Sequence, residues 1–271
     1  MREKGLLMLL TAGWMLLTPL VGSSQNLVNN DLESWKGATK SNASPQPGME
    51  SFEISTPTFN TIPIPVDKAK NYALSGWFKN SGDIHLKHVY FSLMPLDADK
   101  KQINAHEFNA YPMPGNETFL TAPCIVGDTV LKIKDGSKWK EYQHGCIAFD
   151  VDASDENKDL PNSKLSSIGI KSVEKKDDYW SVTLKSKCGK NFPAGTKVRE
   201  HAASSSYIYP VTIKDLNQDD GWKKFEGKIG GMTKTIVTND RFWPGTKFVR
   251  VGVHCGPGKL VFSDIKLEEI K

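Results

Sequence analysis

Familiar catalytic signatures are missing from these 271 residues. There is no G-x-S-x-G nucleophile elbow, no H-E-x-x-H zinc-binding helix and no glycine-rich phosphate loop. His106-Glu107 runs on into Phe-Asn-Ala, which ends any likeness to a zinc helix. His85 and His88 are three apart, so on a strand they point to opposite faces and make poor co-ligands. An excess of one charge is lacking too: 35 Lys and Arg stand against 31 Asp and Glu, a net charge of +4. No basic block stands out, which argues against nucleic acid as a partner. The four cysteines, Cys124, Cys146, Cys188 and Cys255, contain no C-x-x-C spacing, and that excludes the usual zinc frameworks. Beyond residue 21 no apolar run is long enough to span a bilayer, and helical periodicity is scarce.

What is present begins with an export pattern. Met1-Arg2-Glu3-Lys4 is a short charged start, Leu6 to Val21 is an apolar run, and Gly22-Ser23-Ser24 supplies small residues for cleavage. These three parts together predict a secretory signal peptide over residues 1–24. No Cys follows the run to take a lipid anchor, and no membrane span is expected after cleavage. The expected destination is therefore secreted or periplasmic, in a bacterial cell envelope. There the cysteines are free to pair, and four allow three full pairings, with Cys124, Cys146 and Cys188 the closer group.

The rest of the chain is written in short alternating runs separated by Gly, Pro, Asn and Asp, the pattern of an all-β protein. Tyr72, Leu74, Gly76 and Phe78 share one face of a strand, with Trp77 on the other. Val89, Phe91 and Leu93 share a face, as do Val249, Val251, Val253 and Cys255, and Leu260 to Leu267 reads as a last strand. The middle has a denser charge and shorter strands, around residues 128–134, 146–151, 168–174 and 179–184. It is expected to be a small β unit of its own. Pro193-Ala-Gly-Thr-Lys-Val-Arg199 echoes Pro244-Gly-Thr-Lys-Phe-Val-Arg250, which suggests one turn-into-strand device used twice.

Non-covalent glycan recognition ordinarily uses exposed aromatic rings, on which sugar C–H faces stack, with a few polar partners. Seven Trp occur. Trp139, Trp180 and Trp222 lie in β contexts where burial is expected. Trp35, Tyr111, Phe242 and Trp243 lie beside Pro, Gly or Asn in loop-like contexts and are the candidate ligand-binding residues. Asp150-x-Asp152-x-Ser154 begins like a calcium loop but has Asp155 where a Gly is needed and Pro161 where a bidentate Glu is needed.

Three outer segments carry a family likeness. Asn26-Leu-Val-Asn-Asn-Asp-Leu-Glu33 resembles N-L-(L/V)-x-N-G-D-F-E, without that pattern's Gly and Phe. Tyr72-Ala-Leu-Ser-Gly-Trp-Phe-Lys79 resembles Y-x-L-S-x-W-x-K. Gly245 to Arg250 followed by Leu260-Val-Phe-Ser-Asp-Ile-Lys-Leu267 resembles a closing pair of strands with an apolar-Asp-Asp-apolar stretch, in which Ser263 replaces the first Asp. Together they resemble carbohydrate-binding modules of the family 4, 9, 16 and 22 type, galactose-binding-like jelly rolls. The middle block, with Gly127-Asp-Thr129, Ile170-Lys-Ser-Val173 and Pro193-Ala-Gly-Thr-Lys-Val198, resembles small β units of phage-tail and bacterial surface proteins. The resemblances imply a jelly-roll β-sandwich in two parts, 25–116 and 203–271, interrupted by a small β-barrel-like insert at 117–202. They also imply a structural calcium ion held by Glu33 and Asp264, where the first strand meets the last. The implied work is recognition of a polysaccharide or other glycan, without catalysis. Two alternatives stay open: a structural or adhesive envelope protein using the sandwich for protein contacts, and a glycoside hydrolase with an unrecognised carboxylate pair.

Overall fold

The computed structural model describes residues 25–110, 115–154, 157–203 and 205–271. The expected signal peptide and Tyr111 lie outside the described residues. Among the described residues sixteen strands follow one another: β1 (Thr39–Ser41), β2 (Ser51–Ile54), β3 (Thr58–Phe59), β4 (Ile64–Pro65), β5 (Asn71–Asn80), β6 (Leu86–Leu96), β7 (Thr118–Phe119), β8 (Val130–Ile133), β9 (Gly145–Phe149), β10 (Ile170–Lys175), β11 (Trp180–Leu184), β12 (Lys197–Ala202), β13 (Ile208–Leu216), β14 (Lys223–Gly230), β15 (Phe248–Cys255) and β16 (Leu260–Ile270). Three short 3-10 turns, Leu32–Ser34, Ala105–Glu107 and Gln218–Asp220, are the described helical elements. None is long or apolar enough to cross a membrane.

The chain is an all-β sandwich. One antiparallel sheet runs β1-β2-β16-β5-β14, and the other runs β13-β6-β15-β3, with β4 also on β15. Alternation decides which residues lie between them. Leu74, Phe78, Phe262 and Leu267 point inward from the first sheet, and Val89, Phe91, Leu93, Val249, Val251 and Val253 from the second. Phe78 meets Phe91 edge to face at 5.0 Å, which locates the seam. The opening segment docks on the last strand, where Leu27 N–H donates to Leu267 O at 3.0 Å.

A second hydrophobic cluster draws its residues from Leu120 to Val198. It is enclosed by two three-stranded sheets, β10-β11-β8 and β7-β12-β9. Inside, Phe149 and Phe192 stack at 3.8 Å. The expected barrel does not form. The sheets are linked by the isolated bridge of Leu120 to Ile133 rather than by a continuous ladder, so their edges stay open.

The repeated turn motif is a single device in two places. Thr196 N–H and Oγ1–H both donate to Pro193 O, at 3.3 and 2.7 Å, and Thr246 N–H and Oγ1–H both donate to Trp243 O, at 3.1 and 2.7 Å. Gly195 and Gly245 sit at φ 83° and 81°, the left-handed region where a side chain is strained. One turn launches β12 of the middle unit and the other launches β15 of the sandwich.

The two units meet through buried polar groups. Arg199, Glu200 and His201 on β12 are all buried. Arg199 donates through Nε to His201 Nε2, and through its terminal nitrogens to Asn157 Oδ1 and Asp159 Oδ2, each at 2.8 Å. His201 Nε2 therefore carries no proton, and Nδ1–H donates to His106 O on the sandwich side at 2.7 Å. Asn162 N–H reaches Glu107 O at 2.7 Å, so the 157–162 loop is tied to the Ala105–Glu107 turn.

Candidate binding face

If inward residues alternate along β6, β13 and β15, the residues between them form the outer face. On β6 these are His88, Tyr90 and Ser92. On β15 they are Arg250, Gly252 and His254. Register then builds rows across the sheet. Thr212 lies opposite Tyr90, which lies opposite His254. Ser92 lies opposite Gly252, which lies opposite Phe59 of β3. The result is a continuous belt of rings. His88 stacks near Tyr90 at 6.0 Å, Tyr90 meets Tyr209 at 5.1 Å, and Tyr209 meets Tyr207 at 6.2 Å. Tyr207 lies 5.1 Å from His254, and Phe59 lies 4.9 Å from Tyr207 and 4.8 Å from His254.

Gly252 is what lets the belt lie flat at one end. A Cβ there would come within 2.3 Å of the Phe59 ring and 2.7 Å of Ser92 Oγ. The belt is open at its centre, where Tyr90 is 38 % exposed, so the middle unit leaves this part of the sheet uncovered. A hollow of about 420 Å³ adjoins one end, lined by His85, His88, Tyr90 and Pro257 among others. A more polar one of about 480 Å³ adjoins Tyr209, between Asn109, Ser205 and the 236–239 segment.

Few groups on this face could act as nucleophile or acid. His254 Nε2 lies 2.9 Å from Ser92 Oγ, the closest thing here to a nucleophile pair. Ser92 is buried, and its hydroxyl donates to Gly252 O at 3.3 Å. The strands of this sheet contain one acidic residue, Asp215, whereas glycoside hydrolysis takes two carboxyl groups. Asp215 is engaged with His85 at 3.0 Å.

The residues expected from sequence are placed elsewhere. Trp35, Phe242 and Trp243 are 1, 1 and 0 % exposed, a correction to their reading as stacking platforms. They lie in loops, but loops that cap the sandwich, and their rings fill its ends. Trp35 packs on Phe262 at 4.8 Å, Phe242 on Tyr72 at 5.8 Å and Trp243 on Phe108 at 4.9 Å. Glu33 lies in the Leu32–Ser34 turn and Asp264 on β16. Asp264 sits at φ 50° beside a bulge of β16 and pairs with Lys266 at 3.0 Å. A hollow of about 170 Å³ next to it is lined by Asn30, Met49 and Glu50, not by Glu33. Asn26 and Asn30 aim amide N–H groups at Ile265 O, at 3.1 and 2.8 Å. An ammonium group thus pairs with Asp264 and two amide donors lie at the adjoining Ile265 carbonyl, whereas calcium takes six or more oxygens. Among the described residues no three His, Cys, Asp or Glu cluster as a metal site. Asp150 and Asp152 are a solvated turn, paired with Lys164 at 2.7 Å and Lys158 at 3.1 Å.

The buried titratable groups set a pH optimum. Burial pushes His254 down to about 4 and His201 down to about 3. Both are neutral in the folded chain and gain a proton on unfolding below the ordinary 6.5. Their stabilisation is present above pH 6.5 and is lost as pH falls toward those values. Burial pushes Glu200 up to about 8 from 4.5, against the hydrogen bond from Lys140 N–H. The folded chain therefore holds a proton that the unfolded chain has released, and that stabilisation is lost as pH rises from 4.5 through 8. Two groups gain below 6.5 while one loses, and above 6.5 only the loss continues. The melting temperature is expected to peak near pH 6.5 in scans from pH 4 to 9, and Glu200→Gln is expected to flatten the alkaline limb. A stability still rising at pH 8 in the parent chain would contradict this assignment.

No family model, curated protein or solved structure gives a significant match to this chain.

Proposed function

We propose that this protein is an exported, non-catalytic recognition module that binds a carbohydrate on the outer face of the β13-β6-β15-β3 sheet. The observation that carries the reading is the belt of six rings on this face, with His88 and Tyr90 exposed and Tyr209, Tyr207, His254 and Phe59 half-buried. Aromatic faces match the C–H faces of sugar rings, and the tyrosine hydroxyls and histidine nitrogens are suited to sugar hydroxyls. Phe59, His88, Tyr90 and His254 are set on paired strands, whereas Tyr207 precedes β13 and Tyr209 lies in its register shift, so most of the belt needs little ordering on binding. The single acidic residue on these strands and the buried Ser92 hydroxyl support binding rather than hydrolysis.

The test is a broad glycan array with the purified chain, followed by affinity electrophoresis on the polysaccharides retained. Tyr90→Ala with Tyr209→Ala is expected to weaken retention at least about tenfold, the scale of an aromatic hot spot. The melting temperature of Tyr90→Ala alone is expected to change little, because Tyr90 is exposed, whereas Tyr209 is half-buried against Tyr90 and Tyr207. No retained glycan, or equal retention by parent and double variant, would remove the proposal.

An adhesive role through protein contacts draws on a different observation. Ile125, Val126, Val130 and Ile168 of the middle unit are exposed aliphatics. An empty array together with self-association abolished by Val126→Lys would favour that reading.

A further inference from the structure

Of the four cysteines, two converge. Cys124 and Cys188 are both buried in the second cluster. Their thiols are in hydrogen-bonding contact with each other, and both sulfurs face one acceptor, Lys190 O, at 3.9 and 3.3 Å. Their backbones are fixed on both sides. Cys124 exchanges hydrogen bonds with Phe192 at 2.9 and 2.8 Å, and Cys188 N–H donates to Asp128 O at 2.7 Å. Cys146 alternates with Ile147 and Phe149 on β9; those two face the cluster, so Cys146 points away from the pair. Cys255 belongs to the sandwich core.

We propose that Cys124 and Cys188 form a disulfide in the mature protein, and that Cys146 and Cys255 stay reduced. The inference rests on the export reading for its oxidising compartment. The oxidant is a disulfide, from a dithiol oxidase or glutathione. The Cys124 thiolate attacks one of its sulfurs and releases a thiolate, giving a mixed disulfide. The Cys188 thiolate then attacks Cys124 Sγ and releases the second thiol, so two protein thiols are oxidised and one disulfide is reduced. Burial, reinforced by Cys188, pushes the Cys124 thiol up to about 12 in the folded chain. Exchange therefore belongs to the folding chain, before the pair is enclosed. The bond closes a loop containing most of the middle unit, whose own hydrophobic cluster is small.

The test is to refold the full reduced chain in a glutathione redox buffer, quench with acid, alkylate and map the peptides by mass spectrometry. A cross-link between the Cys124 and Cys188 peptides is expected, with Cys146 and Cys255 alkylated. Cys146→Ser and Cys255→Ser are expected to keep the link. Reductant is expected to lower the melting temperature of the oxidised chain by about 10 °C, and to leave that of Cys124→Ser/Cys188→Ser unmoved. Four alkylated cysteines, or a dominant link through Cys146 or Cys255, would overturn the pairing. The peptide map of the parent chain decides this even where the double variant fails to fold. The same map on protein recovered from an exporting host separates the two readings. Full-length protein that stays in the host cytoplasm with residues 1–24 attached overturns export and leaves the pairing found on refolding standing, whereas exported protein with Cys124 and Cys188 both alkylated overturns the disulfide.

Discussion

Replacing Arg199 with methionine is expected to destabilise the protein by about 3–5 kcal/mol, the scale of breaking a buried ion pair from one side. The Arg199 side chain is 1 % exposed and that of Asp159 is 8 %. In the parent chain, Asp159 Oδ2 takes hydrogen bonds from Arg199 at 2.8 Å and Asn162 at 3.2 Å. Among the described residues Oδ1 has no hydrogen-bond partner, so the carboxylate is already sparsely satisfied. Methionine fills much of the same space but donates nothing. It leaves Asp159 buried without its cation, His201 Nε2 without its donor and Asn157 Oδ1 without its partner. These losses fall on the junction, because Leu160 of the same loop packs against the sandwich core. Urea denaturation checks the size of the effect. A second variant checks its cause: adding Asp159→Leu removes the stranded charge and is expected to restore at least half of the loss. A loss below about 1 kcal/mol for the single variant would show that the network contributes little.

The network was not legible in the sequence, and the reason is physical. Arg199-Glu200-His201 reads as a polar stretch. A run of charge on a strand is ordinarily solvated, and only the packing of one unit against the other buries it. The strands were more legible. Phe248 to Cys255 alternates strictly, and β15 has those bounds. β13 was hidden because its pattern is broken where the register shifts between Ile208 and Val211, around Pro210. Which strands become neighbours was also out of reach, since pairings such as β16 with β5 join distant parts of the chain.

The candidate site was half written in the alternation. A strand that turns Val89, Phe91 and Leu93 inward must turn His88, Tyr90 and Ser92 outward. The same holds for His254 between Val253 and Cys255. What misled was the rule that loop aromatics are exposed. In a sandwich the loops close the ends of the core, and bulky rings such as Trp35 and Phe242 make the closure. Sheet faces, by contrast, have one solvated side by construction.

That contrast gives the second large effect. Trp243→Ala is expected to cost about 3–5 kcal/mol, the range for removing a large ring from a core. Trp243 is 0 % exposed, rests against Phe108 and forms the first residue of the turn that launches β15. Its truncation therefore leaves a cavity next to the start of a central strand. Trp243→Phe is expected to cost about 1 kcal/mol, because it keeps most of the volume. It also removes Nε1–H, which has no hydrogen-bond partner among the described residues, so the loss of packing is partly offset. Chemical denaturation measures both variants, and retention on a glycan identified for the parent chain is measured beside it. The two variables separate packing from recognition. Trp243→Ala should lose stability first and retention only where it unfolds, and Tyr90→Ala should do the reverse. A Trp243→Ala protein that melts with the parent yet no longer retains the glycan would mean that Trp243 meets the ligand after all, and the outer face of the sheet would lose its claim to be the site.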